Sequence, residues 1–132
     1  GDGTALSAAV AGTDYVTPTG VETLTNKTIE TASLTNGYTE EVYALSGTAL
    51  AATNGSIQTK TLSGDTTFTD SLSSGQSIVL MLVAGSSYTV TWPTITWVTS
   101  GGNVAPTLTA SDCLVFWKVS TTLYGAYVGS AV

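Results

Sequence analysis

From Tyr38 onwards, the chain consists of strand-length runs of apolar and β-branched residues that are separated by turn-forming residues. Pairs such as Asn54-Gly55 and Gly101-Gly102 are typical of tight turns between strands. Several short strands without intervening helices predict an all-β fold, an antiparallel β-sandwich of the jelly-roll-like type. The predicted strands cover residues 41–45, 57–62, 66–69, 77–83, 88–92, 94–98, 113–119 and 123–128.

Two of these runs, 78–83 and 114–117, are apolar at consecutive positions, so both faces of each strand are apolar. In a small antiparallel fold, one face of a sheet ordinarily meets water. Either these strands are covered on both sides within one monomer, or the second face packs on another subunit. Because the chain has few elements left to form a second cover, we expect oligomerisation. The candidate interface residues in these two runs are Val79, Met81, Val115 and Trp117.

The pattern around Pro93 predicts a break between two strands. Residues 88–92 alternate cleanly between apolar and hydroxyl side chains, which is typical of a strand with one buried face. Pro93 lacks a backbone N–H and cannot donate to a sheet, so the chain is expected to bend there. Residues 39–52 leave an alternative open, since acidic residues followed by alanines and leucines also permit a short helix.

Residues 1–37 differ from the rest because their apolar positions are too sparse to close a core. The tetrapeptide Thr-Leu-Thr-Asn at 23–26 recurs ten residues later as Ser-Leu-Thr-Asn. This spacing predicts an extended N-terminal arm that becomes ordered only against partner chains, and the alternative is a disordered tail. The chain is therefore divided into an arm, 1–37, and a head domain, 38–132. The candidate contact residues of the arm are Leu24, Ile29 and Leu34.

Charged residues are scarce, at 9% of the chain, and the formal net charge is −6 because nine acidic residues outnumber three lysines. Soluble domains typically contain roughly 25% charged residues, so we expect a surface rich in hydroxyl groups. A chain so poor in cations cannot neutralise a series of phosphates, which excludes nucleic acid and anionic membranes as expected partners. Cys113 is the only cysteine, which excludes a disulfide within the chain.

The sequence offers little for catalysis or metal binding. It contains no His, so Ser–His and Cys–His nucleophile pairs are impossible. Glu40 and Glu41 are adjacent and would point to opposite faces of a strand, which disfavours a glycosidase pair. Asp65, Asp70 and Asp112 lie in or beside predicted turns, where Asp commonly forms local hydrogen bonds to the backbone. We expect no catalytic residues, no cofactor and no bound metal.

Two tryptophans, Trp92 and Trp97, are candidates for contact with a glycan. An aromatic face suits the apolar face of a sugar ring, so exposed indoles could form a receptor site. Each Trp also falls in phase with other apolar residues, which favours packing in the core. The two alternatives predict exposed and buried rings, respectively.

A set of short segments in the head domain follows a known order: Asn54–Thr59, Ser74–Ser77, Val90–Pro93, Ile95–Trp97, Ala105–Thr109, Phe116–Val119 and Leu123–Gly125. Through these segments, residues 38–129 resemble a domain that is common at the C-terminal ends of phage tail-fibre and other virion structural proteins. In addition, Leu-Thr-Asn-Lys-Thr at 24–28 is similar to a motif in the shafts of many phage fibres. The resemblance implies a trimeric appendage protein of the virion that contacts other virion proteins of the tail, capsid or baseplate.

The resulting hypothesis is a non-enzymatic tail fibre or appendage protein, assembled in the cytoplasm of the host bacterium, that serves particle assembly and attachment to the host surface. One alternative places the same fold on the capsid, as a decoration or cement protein that stabilises the head. A second alternative is a carbohydrate-binding module with a host glycan as its ligand. Copy number separates the first two, since a cement protein needs many more copies per particle than a fibre.

Overall fold

A computed structural model describes residues 30–31, 33–53 and 55–131. The chain divides into two units, Gly1–Gly37 and Tyr38–Val132, and the strands that the structure describes all lie in the second, whose fold is all-β. Within the described ranges the helical structure consists of one 3-10 turn, Gly85–Ser87. The strands are β1 (Tyr43–Ala44), β2 (Ala49–Leu50), β3 (Ile57–Thr61), β4 (Thr66–Thr67), β5 (Thr69–Asp70), β6 (Ser77–Val83), β7 (Val90–Thr91), β8 (Thr96–Trp97), β9 (Ser111–Val119) and β10 (Thr122–Ser130).

Six strands form one large sheet in the order β1-β3-β6-β9-β10-β8. At its centre, β9 is antiparallel to both β6 and β10. Towards the edges, β1 with β3, β3 with β6 and β8 with β10 run parallel. Two small sheets, β2 with β5 and β4 with β7, are also parallel pairs. The expectation of a purely antiparallel architecture is therefore wrong, and the large sheet is mixed.

The connection from β3 to β6 accounts for this difference. Parallel neighbours cannot be joined by a tight hairpin, so the chain must cross over one face of the sheet before it returns. Residues 62–76 make this crossing and carry β4 and β5 instead of a helix. Leu62, Phe68 and Leu72 of this segment are buried in the core. Turn residues in the sequence mark where the chain bends, but they do not tell which strand it will return to.

Strand β6 shows how the two faces of the large sheet differ. Ile78, Leu80 and Leu82 are at most 1% exposed, whereas Val79 and Met81 between them are half-buried. Side chains alternate between the two faces of a strand, so the first three point into the core. The opposite face of this apolar run has no second layer over it among the described residues.

The core lies between the inner face of the large sheet and the segments that carry the small strand pairs. At its aromatic centre, the ring of Trp92 stacks on Phe68 with centroids 4.9 Å apart, and it meets Trp97 and Phe116 at 5.7 and 5.4 Å. Stacked and edge-on contacts of this kind are favourable aromatic geometries. The buried apolar residues are Leu50, Leu62, Phe68, Leu72, Ile78, Leu80, Leu82, Ile95, Trp97, Leu114, Phe116 and Leu123.

The sequence pattern predicts where the strands lie better than it predicts the residues at which they begin and end. β6 spans residues 77–83 as predicted, whereas β7 and β8 are shorter than predicted, with two residues each. Pro93 separates β7 from β8, which lie in different sheets, as its missing N–H predicts. Within residues 39–52 the structure has the short strands β1 and β2 and no helix, because pairing with β3 and β5 satisfies their backbone groups.

Candidate functional site

The candidate functional site is the face of the large sheet that points away from the core, called the outer face below. Strand register decides which residues share it, because partners in adjacent strands point to the same side. One row across four strands pairs Ile57 with Val79, Val79 with Val115, and Val115 with Ala126. An uninterrupted apolar row thus crosses β3, β6, β9 and β10.

Two further rows flank this one. On one side, Thr59 pairs with Met81 and Met81 with Cys113. On the other side, Trp117 pairs with Tyr124, and their rings stack with centroids 5.6 Å apart and planes 11° from parallel. Cys113 is half-buried, since the odd-numbered positions of β9 face outwards. The outer face therefore combines an apolar centre with a stacked aromatic pair.

Exposure of the outer face rises towards its periphery. Val79, Met81 and Val115 at the centre are half-buried by their neighbours in the sheet. Ile57 is 39% exposed and Val119 is 56% exposed. Large apolar side chains at this exposure, continuous with an apolar centre, are typical of surfaces that another protein covers.

The strands of the outer face direct their charged side chains to the other side of the sheet. The Lys60 ammonium donates to the carbonyl oxygens of Leu45 and Ser46, at 3.1 and 3.0 Å. The Lys118 ammonium contacts the Asp70 carboxylate at 2.6 Å. Residues 45, 46 and 70 belong to segments that cover the inner face, so both lysines point inwards. The outward positions of β3, β6, β9 and β10 are uncharged.

The structure brings together four of the seven predicted interface residues. Val79, Met81, Val115 and Trp117 all lie on the outer face, as the register above shows. Leu34 is 63% exposed and belongs to the unit Gly1–Gly37. Leu24 and Ile29, with most of the predicted arm, lie outside the described residues. Tyr124 and Ala126 were missed in the sequence, because only the pairing with β9 places them on this face.

The two possible glycan contacts, Trp92 and Trp97, differ in exposure. Trp97 is only 7% exposed, so its indole offers no open face to a sugar ring and packs in the core instead. Trp92 is half-buried and packs against the core through contacts with Phe68 and Phe116. Contact of Trp92 with a glycan therefore stays a prediction.

Four of the five carboxylates that were considered for hydrolysis accept hydrogen bonds from the backbone. Glu40 accepts from both the amide and the hydroxyl of Ser56, each at 2.7 Å, and the backbone bond is the main cause that lowers the pKa of Glu40. Asp70 accepts from a backbone amide two residues ahead at 3.0 Å. Asp65 accepts from a backbone amide 24 residues ahead at 2.8 Å. The partner of Asp65 is therefore distant in the chain, whereas the sequence predicted a local one.

The side chain of Asp112 is fully buried. It accepts from the amide and hydroxyl of Thr109, at 2.9 and 2.7 Å, and from the Tyr127 hydroxyl at 3.0 Å. Burial, followed by the hydrogen bond and charge of Asp112, raises the pKa of Tyr127. The carboxylate thus joins the start of β9 to β10 and to the segment before β9.

Among the described residues, no group of three or more His, Cys, Asp or Glu side chains could hold a metal ion. Within the same residues, no helix has the length and hydropathy to span a membrane. Comparisons of the chain with family models, with curated proteins and with solved structures found no match.

Proposed function

We propose that the chain is a non-enzymatic structural protein of a bacteriophage particle, in which residues 38–132 form a β-sandwich-like head that assembles through its outer face. One observation supports the assembly role: the outer face is uncharged, and an apolar row crosses its four strands without interruption. A structural role requires a persistent contact between subunits, and an apolar sheet face supplies one without any catalytic group.

The neutral charge of this face permits a second copy of the same chain as its occupant and disfavours a strongly charged partner. The chain carries a net charge of −6, so copies repel one another wherever their acidic surfaces approach. The outer face is the neutral exception, where two copies can come into contact at little electrostatic cost. A strongly basic partner would instead gain from acidic residues, which this face does not contain. In a tail fibre, the resulting oligomer, a trimer by the sequence resemblance, would present the heads to the host surface.

The experiment is a measurement of oligomeric state on outer-face variants. We expect the purified chain to be an oligomer at micromolar concentration by light scattering. Met81→Lys combined with Val115→Lys should give a folded monomer, because two charges would be buried in an apolar contact. Both positions are half-buried in the single chain, so long side chains can reach water when no partner is present.

The matched control is Val104→Lys, which places the same charge at an exposed apolar residue of a loop. It should leave the oligomer intact. A milder pair, Met81→Gln with Val115→Thr, guards against loss of folding and should weaken association without adding charge. A folded wild-type monomer, or an unchanged oligomer in the lysine variant, would refute the assembly role. Absence of the chain from purified particles of the phage that encodes it would refute the virion role.

A further inference from the structure

A cleft lies on the inner side of β10, away from the outer face. It is an open cleft with a volume of about 560 Å³ between the loop 98–107 and Tyr127, and most of its lining residues are exposed. Sites for small ligands commonly measure roughly 300–1,000 Å³, so the cleft is large enough for a ligand of one to two rings.

Hydrogen bonds hold the walls of the cleft in place. The Asn103 side-chain oxygen accepts from the backbone amide of Trp97 at 2.6 Å, and the amide of Val98 donates to the Gly125 carbonyl at 2.8 Å. Beyond the far end of the loop, Thr109 is bound to the buried Asp112. A loop that is pinned at both ends and in its middle forms a cleft before any ligand arrives, which lowers the entropy cost of binding.

The lining combines hydroxyl groups with apolar surface and contains no charged side chain. Within the described part of the chain, no side-chain hydrogen bond engages the hydroxyls of Ser100 and Thr107. The Tyr127 hydroxyl donates its proton to Asp112, so its oxygen remains able to accept a hydrogen bond from a ligand. Val104 and Pro106 supply apolar walls beside these groups.

We infer that this cleft binds a neutral saccharide. A sugar offers hydroxyl groups at its edge and an apolar C–H face, and the lining of hydroxyls, aliphatic side chains and one aromatic ring matches both. An anion would meet no cation in the cleft and would approach a chain of net charge −6. A cationic ligand would find no carboxylate in the lining, and a purely apolar ligand would leave the hydroxyl groups unpaired.

The experiment is ligand-observed NMR on the full chain with a panel of neutral mono- and disaccharides and with glucuronate as an anionic sugar. We expect binding of at least one neutral sugar in the millimolar range and none of glucuronate. Ser100→Ala and Thr107→Val should each weaken binding about three- to tenfold through loss of one hydrogen bond. Ala105→Trp should fill the cleft and abolish binding.

The control is Met81→Lys with Val115→Lys, which changes the outer face and should leave sugar affinity unchanged. This comparison keeps the inference separate from the proposed assembly role, because sugar affinity and oligomeric state are measured independently on the same variants. Binding of glucuronate alone, binding of no sugar, or equal affinity in the cleft variants and the wild type would each overturn the inference.

Discussion

At the residue scale, the chain uses Asp112 to stabilise its own backbone. The carboxylate is buried and accepts three hydrogen bonds from Thr109 and Tyr127. Gly85 lies so close that an added Cβ would come within 3.1 Å of a carboxylate oxygen and 3.0 Å of Leu108. A buried charge without a cation is tolerated when every lone pair that faces the protein receives a donor.

Replacement of Asp112 by Ala should lower the free energy of unfolding by about 2–4 kcal/mol, because the amide and hydroxyl of Thr109 and the hydroxyl of Tyr127 would lose the buried acceptor that they share. Asp70→Ala is the matched control. It removes a carboxylate that is partly exposed, at 21%, and paired with Lys118, so its cost should be about 1 kcal/mol or less. Urea unfolding of both variants is the measurement, and equal losses would show that burial of Asp112 has no special weight.

At the element scale, the edge strand β8 is positioned by a glycine in its neighbour. Gly125 of β10 pairs with Trp97. A Cβ at this glycine would lie 2.9 Å from the Trp97 ring and 3.0 Å from a methyl group of Ile95. Only a residue without a side chain lets both buried groups pack against β10.

Gly125→Ala should therefore destabilise the fold by about 1–3 kcal/mol through overpacking. The tryptophan fluorescence of the chain should also shift towards that of a more exposed ring, since β8, which carries Trp97, would have to move away from β10. Gly64→Ala serves as control, because its Cβ would meet no atom within 4 Å, and it should stay within about 0.5 kcal/mol of the wild type. If Gly125→Ala leaves the free energy of unfolding unchanged, β8 can shift without loss of packing.

At the scale of the whole molecule, assembly combines a neutral contact with an acidic chain. Nine acidic residues and three lysines give the net charge of −6, while the outward positions of the four central strands are uncharged. Because no ion pairs cross this face, added salt has none to weaken when copies associate through it. The copies still repel one another through the rest of their surface. Added salt screens that repulsion.

Association should consequently become tighter, by about two- to tenfold, as ionic strength rises from about 0.01 M to about 0.15 M and the Debye length falls from about 30 Å to about 8 Å. Sedimentation velocity at the two salt concentrations measures the change. Glu30→Gln with Glu41→Gln removes two exposed acidic charges and should reduce the salt effect. Association that weakens with salt would instead indicate ion pairs across the interface and argue against the neutral outer face.

The sequence predicted the periodicity of the strands well, but it did not predict which strands pair with one another. The run 77–83 matches β6 to the residue, because alternation and turn residues are local properties of the chain. Residues 62–76 cross over the sheet, so β3 and β6 pair in parallel, whereas the sequence predicted an antiparallel sandwich. Which strand the chain returns to is decided by burial of residues such as Phe68, which no local pattern specifies.

The all-β class and a second apolar face on β6 and β9 follow from the amino-acid pattern alone, because consecutive apolar residues in a strand must point both ways. The pattern also determined that Val79 and Met81 share a face, since they are two positions apart. Only the tertiary structure aligned Val79 with Val115, buried Trp97, and brought Tyr127 to the Asp112 carboxylate. Those outcomes depend on register and on contacts between distant segments, which are selected by the packing of the whole core.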